Sequence, residues 1–308
     1  MGKKIVVAGG AGFIGSHLCD FLIDKGEEVV CIDSLITGDE KNIAHLTGKN
    51  FFSFIENDVS QSISLAFPVK QIYNLASPAS PVDYQEKPLE TLAAGSLGVR
   101  NMLELAREKN ASCLFASTSE VYGNPLQHPQ KETYWGNVNP VGPRSCYDEA
   151  KRFGEATCVA YKKVFGIDVK IARIFNTYGP RMRKEDGRVV PNFIDQALHN
   201  RSITIYGKGE QTRSFCYVSD MVDGLYKLMN SKEMGPINIG NPKEKTIFEL
   251  AELIIKLTDS KSKIVYKPLP LDDPERRLPD IMLAKEKLGW QPKVGLEEGL
   301  NKTVEFFS

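Results

Sequence analysis

The sequence lacks paired cysteines, long apolar runs and an excess of charge of either sign, and each absence excludes a class of protein. Its six cysteines are scattered and none forms a C-x-x-C pair, so neither a disulfide framework nor a metal site is expected. No apolar run approaches the roughly 18 residues that span a bilayer. With 39 Lys and Arg residues against 39 Asp and Glu residues, bulk charge predicts neither a nucleic-acid nor a membrane partner.

The remaining composition is that of an ordinary globular protein. The 308 residues are 42% hydrophobic, which is enough for a sizeable core in one or two domains. The stretch KKIVVAGG (3–10) is already strand-like and has no charged, apolar and cleavable pattern, so we expect no targeting segment. Scattered thiols suit a reducing compartment, so we expect a cytoplasmic protein with its cysteines buried as small apolar side chains.

Short apolar strands alternate with helices along the first half of the chain. Strands are predicted at 5–9, 29–33, 51–58, 71–76, 113–118 and 169–175, and helices over 16–25 and 88–109. Unbroken apolar strands separated by helices predict a parallel sheet that is covered on both faces. The predicted fold class is therefore α/β, a Rossmann-type doubly wound sheet, in which ligands lie beyond the carboxyl ends of the strands.

A glycine-rich turn links the first predicted strand to the first helix. Gly9, Gly12 and Gly15 follow a G-x-x-G-x-x-G spacing, which permits a tight turn and lets a pyrophosphate approach the backbone. Asp33 ends the second strand, where a carboxylate accepts both ribose hydroxyls and repels a 2′-phosphate. The sequence therefore predicts NAD rather than NADP as the cofactor.

The stretch RSCYDEAKR (144–152) carries a tyrosine and a lysine at i and i+4, which lie on the same face of a helix. An ammonium at Lys151 would favour the phenolate of Tyr147 and lower its pKa. Thr118 ends another predicted strand, where ligands bind. Together, the Thr118 hydroxyl, the Tyr147 base and the Lys151 cation are what dehydrogenation of an alcohol needs.

Longer segments carry a family resemblance over nearly the whole chain. They are YNLASPASPVDY (73–84), ASTSEVYGNP (116–125), WGNVNPVGPRSCYDEAKR (135–152), ARIFNTYGPRM (172–182), GRVVPNFI (187–194), QTRSFCYVSD (211–220) and DDPERRLPDI (272–281). On these segments the chain resembles the extended short-chain dehydrogenase/reductase superfamily, and within it the UDP-glucuronate decarboxylases, which make UDP-xylose.

The resemblance implies a reaction in which NAD is a catalyst. Tyr147 would take the proton of the sugar 4-hydroxyl while NAD⁺ receives hydride from C4, which gives a 4-keto sugar. The carboxylate is then β to a ketone, so CO₂ leaves easily and its electrons flow into an enolate. Reprotonation at C5 and return of hydride from NADH would then give UDP-xylose. Ser119 and Glu120 would assist. We hypothesise that an ionised Glu120 destabilises the carboxylate of the bound sugar.

The resemblance also implies which residues bind ligands. Cofactor contacts are expected from the catalytic Tyr147 and Lys151 and from Gly9, Gly12, Phe13, Ile14, Gly15, Asp33, Thr37, Gly38, Asp58, Val59, Leu75, Ala76, Ser77, Ile174 and Thr177. Substrate contacts are expected from Pro78, Tyr84, Asn176, Arg188, Tyr206, Gln211, Arg213 and Arg277. Of the neighbours Arg276 and Arg277, the resemblance places the second near the reacting carboxylate, which a guanidinium fork can bind.

The expected division of the chain falls near Pro180. Residues 1–180 are predicted to form the NAD-binding Rossmann domain, to which some later segments return, and residues 181–308 mainly a smaller α/β lobe that binds the sugar nucleotide. The superfamily pairs through two helices, so a homodimer through residues near 88–108 and 146–165 is expected, with apolar side chains such as Leu103, Leu105, Ala156 and Val159. Trp135 and Trp290 are expected to pack in the core or between the lobes.

Ala93, Ala94 and Gly95 depart from the Lys-Thr-Asn that relatives tend to carry, and Gly95 inside a helix is expected to cost about 1 kcal/mol against Ala. Ala150 likewise replaces a usual glycine.

Other functions stay open from the residues alone. A sugar-nucleotide 4-epimerase or 4,6-dehydratase shares the 4-keto intermediate, although Ser119-Glu120 differs from the Asp-Glu pair of a dehydratase. A ring contraction to apiose and a non-catalytic NAD-binding regulator are further alternatives. Product analysis separates the enzymes, and the complete Thr118, Tyr147 and Lys151 set argues against a regulator.

Overall fold

The computed structural model describes residues 2–270 and 272–308. Its strands are β1 (Lys4–Ala8), β2 (Val29–Asp33), β3 (Phe52–Glu56), β4 (Val69–Asn74), β5 (Ser112–Thr118), β6 (Val169–Ile174), β7 (Thr177–Tyr178), β8 (Ile203–Tyr206), β9 (Thr212–Ser214), β10 (Cys216–Tyr217), β11 (Ile237–Ile239), β12 (Glu244–Thr246), β13 (Ile264–Lys267) and β14 (Arg276–Arg277). Its α-helices are α1 (Phe13–Asp24), α2 (Pro81–Glu86), α3 (Pro88–Ala93), α4 (Val99–Lys109), α5 (Ser145–Phe165), α6 (Val189–Leu198), α7 (Val218–Met229), α8 (Ile247–Leu257), α9 (Met282–Leu288) and α10 (Leu296–Phe307).

Seven of these strands form one parallel sheet, which confirms the predicted fold class. The order is β3-β2-β1-β4-β5-β6-β11, and every neighbouring pair is parallel. The order reverses between β1 and β4, because the chain starts in the middle of the sheet and is wound outward in both directions. Ligands of such sheets bind in the crevice at that reversal, beyond the carboxyl ends of the strands.

Both faces of the sheet are buried, as the continuous apolar strands predict. In β1, Ile5 and Val7 belong to one core cluster, whereas Val6 and Ala8 belong to a second cluster on the opposite face. The first cluster includes residues of α1 and α7, and the second includes residues of α4. Alternate side chains of one strand thus support two helical layers.

The predicted strand boundaries differ from the observed ones by at most two residues. The third strand ends at Glu56 rather than 58, and the fourth runs over Val69–Asn74 rather than 71–76. The first helix begins at Phe13 rather than Ser16, because the glycine turn passes directly into helical backbone at its N-cap, Gly12.

The helix predicted over 88–109 is real but not uniform. A π-helical turn over Ala94–Gly98 joins α3 to α4. A Cβ on Gly95 would lie only 2.5 Å from the Cβ of Ala150 in α5, so the two helices approach too closely for a larger residue. The two departures noted in the sequence therefore meet in space. The free-energy cost expected for Gly95 came from helix propensity alone. It did not include the contact with Ala150, which requires a glycine at position 95.

The second half of the chain contributes to the same sheet and builds smaller sheets beside it. Strand β11 adds to the edge of the sheet next to β6, and α7 lies against α1. Strands β12, β9 and β14 form a three-stranded sheet, and β13 pairs with β8. The register of β14 against β9 sets Arg277 opposite Arg213, which brings two predicted substrate residues together.

The predicted burial of Trp290 was right, but the predicted burial of Trp135 and the predicted exposure of Leu103 and Leu105 to a second subunit were wrong. Trp135 is 89% exposed instead of packed, whereas Trp290 is 1% exposed and donates from Nε1 to the carbonyl of Asp220 at 3.0 Å. Leu103 and Leu105 lie in the core under the sheet, so they are not available to a second subunit. Trp135 lies in an irregular segment, and apolar character alone did not show which way it faces. All six cysteines are free, with Cys146 half-buried and the other five buried.

Candidate active site

A cavity of about 620 Å³ opens beyond the carboxyl ends of β1, β2, β4, β5 and β6. Its floor is the glycine turn and the strand ends, and its far wall comes from the second half of the chain. All the predicted cofactor and substrate residues line it except Arg277. The structure therefore brings together side chains that are spread over some 200 residues of sequence.

The glycine turn has the geometry of a phosphate cradle. Gly9 has φ +78°, and a Cβ on it would lie 2.8 Å from the backbone nitrogen of Ala76. A Cβ on Gly15 would lie 2.0 Å from the Gly9 carbonyl oxygen, so only glycine lets α1 begin against the turn. Phe13, Ile14 and Gly15, the first turn of α1, line the cavity, where backbone N–H groups and the helix dipole favour an anion.

Asp33 is held rigidly at the end of β2. Its carboxylate accepts hydrogen bonds from the backbone N–H groups of Ala11 and Leu35, both at 2.9 Å. Burial raises the pKa of Asp33, and these N–H groups oppose that rise. Gly38 packs on the carboxylate, because a Cβ there would lie 2.8 Å from Oδ1. The site thus fits a dinucleotide, with a pyrophosphate at α1 and a ribose at Asp33.

Thr118, Tyr147 and Lys151 meet at the cavity floor. Thr118 ends β5, and Tyr147 and Lys151 lie one turn apart near the start of α5. The Lys151 Nζ donates to the carbonyl of Ala116 at 2.8 Å and lies 5.5 Å from the centre of the Tyr147 ring. The Thr118 side chain favours ionisation of the Tyr147 phenol. The structure therefore brings the three groups together at the cavity floor.

The pKa prediction for Tyr147 was wrong for the protein alone. Burial raises the pKa of Tyr147 above its usual value, and the Thr118 side chain only partly opposes this. Burial also lowers the pKa of Lys151 to about 8, which still leaves the ammonium as the main form at pH 7. Desolvation of the cavity floor therefore keeps Tyr147 neutral, and the Lys151 ammonium donates to the carbonyl of Ala116.

Glu120 is ionised, as hypothesised, but its charge is compensated. Its Oε2 accepts from Arg144 at 2.7 Å and from Arg277 at 3.0 Å. Burial pushes the pKa of Glu120 up, but Arg277, Arg144 and Arg213 outweigh it and hold the pKa at about 2. A carboxylate between guanidinium groups does not repel a substrate anion strongly, which removes the basis for ground-state destabilisation by Glu120.

Arg277 lies behind the cavity wall and not on it. It is 1% exposed, and it donates to the carbonyl of Ser119 at 2.7 Å and to Glu120. Successive side chains of a strand point to opposite sides, and in β14 Arg276 is exposed whereas Arg277 points inward. Ser119 is 2% exposed and lines the cavity. Arg277 is thus placed to orient the Ser119–Glu120 turn.

Three residues near this turn were missed by sequence reasoning. Arg144 lines the cavity beneath Tyr84, and its Nε has no hydrogen-bond partner among the described residues. Asp148 is 5% exposed, and its Oδ1 likewise has no partner in the described part of the chain. Burial and then the Glu120 charge raise the pKa of Asp148 to about 7. Asp273 binds Arg213 at 3.0 Å. Arg144 lies three residues before Tyr147 and four before Asp148, and this helical spacing was a usable signal, but Asp273 gave none.

The predicted substrate residues form the outer part of the cavity. Tyr84 stacks on Tyr147, with ring centres 5.1 Å apart and planes 10° from parallel. The Arg188 guanidinium binds the carboxylate of Asp186, with Nη2 and Oδ2 2.6 Å apart, and it lowers the pKa of Tyr147 slightly. The Gln211 side chain donates to the carbonyl of Tyr206 at 2.6 Å. Pro78, Asn176 and Arg213 complete this set.

A tyrosine and a lysine one helical turn apart, beside a strand-end threonine and a dinucleotide cradle, define an enzyme of the short-chain dehydrogenase class. More narrowly, the chain belongs to the GDP-mannose 4,6 dehydratase family, whose sequence profile matches residues 6–303.

Relatives in this family act on sugar nucleotides according to their names. The chain is 54% identical over 306 residues to UDP-glucuronic acid decarboxylase 1 of Danio rerio, covering 99% of this chain and 73% of that protein. It superimposes on UDP-glucose 4-epimerase of Thermotoga maritima with a TM-score of 0.92 at 31% identity, covering 99% and 98% of the two chains. For UDP-glucuronic acid 4-epimerase of Bacillus cereus in complex with UDP-glucuronic acid and NAD, the TM-score is 0.86 at 28% identity, with 98% of both chains covered.

Among the residues that the structure describes, no helix combines the length and the apolar character required to cross a membrane.

Proposed function

We propose that this protein converts UDP-glucuronate to UDP-xylose and CO₂, with a bound NAD that is reduced and re-oxidised in each turnover. The observation that carries the proposal is the 54% identity with a UDP-glucuronic acid decarboxylase over 99% of the chain. The site supports it, because a general base, a dinucleotide cradle and cavity-lining arginines share one space.

Tyr147 is the base that removes the proton of the sugar 4-hydroxyl. The Thr118 side chain favours ionisation of the phenol and orients the same sugar hydroxyl. Lys151 supplies a positive charge within 5.5 Å of the Tyr147 ring, which stabilises the phenolate as it forms. Since burial raises the pKa of Tyr147 in the protein alone, ligand binding must supply part of the stabilisation of the phenolate.

NAD would be held by the α1 N-terminus, Asp33 and Lys151, and when bound it supplies the reversible oxidation of C4 that makes the carboxylate β to a ketone. The sugar nucleotide would lie across Tyr84, Arg188 and Arg213. Glu120 stays ionised between Arg144 and Arg277, so we assign it the positioning of these arginines rather than transfer of a proton to C5. The Ser119 hydroxyl, at the buried edge of the cavity, is a contact for the reacting sugar.

The test is incubation of the protein with UDP-glucuronate and NAD⁺, with the nucleotide sugars followed by NMR. UDP-xylose as the product would support the proposal. UDP-galacturonate as the only product would identify a 4-epimerase, and UDP-apiose would identify a ring-contracting enzyme.

We further propose a homodimer through α3 and α5. Exposed apolar side chains support it: Leu89 is 76%, Leu92 40%, Phe153 54% and Val159 51% exposed. Sedimentation should give about twice the 34.3 kDa chain mass at micromolar concentration, and Phe153→Glu should shift it to one chain mass. A single-chain mass for the unaltered protein would contradict this assembly.

We also propose that residues 1–180 mainly bind NAD, that residues 181–308 mainly bind the sugar nucleotide, and that the protein is cytoplasmic. Free cysteines support a reducing compartment. Arg188, Tyr206, Gln211 and Arg213, which line the outer cavity, support a sugar-nucleotide role for the second half.

A further inference from the structure

A carboxylate of the protein itself lies against the arginines that face the cavity. Asp273 belongs to the segment before β14, in which Pro270, Asp273 and Pro274 all line the cavity. Its Oδ2 lies 3.0 Å from Nη2 of Arg213, and its Oδ1 lies 3.6 Å from Nη1 of Arg144. One carboxylate thus bridges two guanidinium groups from separate parts of the chain.

The charges around this bridge show what Asp273 compensates. Arg277 and Arg144 both bind Glu120, whereas Arg213 does not bind it directly. Burial lowers the pKa of Arg213, the positive charges of Arg277 and Arg144 lower it further, and Asp273 opposes them. Asp273 is therefore the counter-ion of Arg213.

A UDP-sugar acid would bind to the same guanidinium groups as Asp273. Its diphosphate and its carboxylate are anions that guanidinium forks bind in the way they bind an aspartate. Arg213 and Arg144 both line the cavity, and the inner arginine, Arg277, does not. An anionic ligand in this cavity must then compete with Asp273 for these two side chains.

We propose that Asp273 is an internal competitor of the substrate, which the anionic groups of the sugar nucleotide displace from Arg213 and Arg144. The residue sets the affinity for the substrate without taking part in the chemistry. This inference rests on the proposed UDP-glucuronate substrate, because a neutral ligand would not compete with a carboxylate.

The segment that carries Asp273 has other attachments, so its position does not depend on this contact alone. The neighbouring Asp272 accepts from the Asn139 side chain at 2.9 Å, and the Glu275 N–H donates to the Asn124 side chain at 3.3 Å. Arg276 and Arg277 pair with β9. Asp273 can therefore release the arginines while the segment stays attached.

The test compares Asp273→Asn, which keeps the shape and removes the charge, with Asp273→Glu, which keeps the charge. Asp272→Asn is the matched control, because it removes a neighbouring charge that contacts Asn139 and not the arginines. Binding of UDP-glucuronate and of UDP to the NAD-loaded protein is measured by calorimetry, and kcat and KM are measured by product formation.

For Asp273→Asn, we expect the Kd and KM for UDP-glucuronate to fall about three- to tenfold with kcat unchanged. Asp273→Glu and Asp272→Asn should stay near the unaltered protein. Affinity that is unchanged or weaker in Asp273→Asn would overturn the proposal, because Asp273 would then only hold Arg213 in place.

The calorimetric comparison separates this inference from the proposed function. If the unaltered protein binds UDP-glucuronate but releases no CO₂, the decarboxylase proposal fails. The Kd values of Asp273→Asn and of the unaltered protein can still be compared. A lower Kd of Asp273→Asn would support the competition in that case, and an equal or higher Kd would overturn it.

Discussion

Arg277 and Glu120 form an ion pair behind the cavity wall, with Nη2 3.0 Å from Oε2 and the arginine 1% exposed. Sequence reasoning placed both residues at the substrate. Their geometry instead makes the pair a support for the Ser119–Glu120 turn, since Arg277 also donates to the carbonyl of Ser119 at 2.7 Å.

Glu120→Gln should destabilise the protein and reduce its activity. The substitution leaves a buried guanidinium without its counter-ion, so the free energy of unfolding should fall by about 3 kcal/mol. The loss should appear in urea denaturation, and kcat/KM should fall with it because Arg144 and Arg277 lose their common acceptor. Glu275→Gln, an exposed acid on the same segment as Arg277, is the control and should change neither quantity. Full stability and full turnover in Glu120→Gln would show that the pair is dispensable.

Tyr147→Phe should abolish most of the turnover and leave binding intact. Removing the phenolic oxygen removes the base, which typically contributes about 10²–10⁴-fold to the rate. The stacking on Tyr84 is retained by Phe, so the Kd for UDP-glucuronate should change little. Tyr161→Phe is the matched control on the same helix, since its hydroxyl binds Glu104 at 2.7 Å and not the cavity. Comparable rates for the two variants would exclude Tyr147 as the base.

Gly95→Ala should destabilise the protein although alanine is the better helix former. The added Cβ would lie 2.5 Å from that of Ala150, and such overpacking costs about 1–3 kcal/mol. Ala150→Gly removes the opposing methyl group, so the double variant should be more stable than the sum of the single effects predicts. Chemical denaturation of the four proteins gives the coupling energy. Additive effects would mean that the helices separate to admit the methyl group.

Asp148→Asn should stabilise the protein more as the pH is raised. The folded-state pKa of about 7 lies above the unfolded value of about 3.9, so the folded form binds the proton more tightly. That contribution to stability is complete below the unfolded pKa and is lost as the pH rises through 7. The advantage in Tm of Asp148→Asn should therefore grow between about pH 5 and pH 7 and then level off.

The Tm values of Asp148→Asn and the unaltered protein are compared across this pH series. A difference that stays constant at every pH would contradict a raised pKa at this carboxyl group.

The sheet could be predicted from the sequence because its strands are buried on both faces. Apolar runs such as 29–33 and 113–118 carry that signal locally. The glycine turn, Asp33, Tyr147 and Lys151 were also local signals, and the structure brings them to one cavity.

The rest of the site depends on contacts between distant segments. Nothing near Asp273 indicates that it meets Arg213 and Arg144, and nothing near Gly95 indicates Ala150. The burial of Tyr147, which reverses its expected pKa shift, likewise comes from the assembled cavity rather than from Lys151 alone. Trp135 shows the same limit, because an apolar residue in a loop carries no periodicity that would indicate its direction.

The most direct measurement of the central claim is the amount of CO₂ and UDP-xylose formed from UDP-glucuronate with NAD⁺ far below the substrate concentration. We expect equal amounts of the two products, many turnovers for each NAD, and no accumulation of NADH, because C4 is oxidised and reduced again in one cycle. UDP-galacturonate without CO₂, or one NADH accumulated for each product formed, would contradict the account.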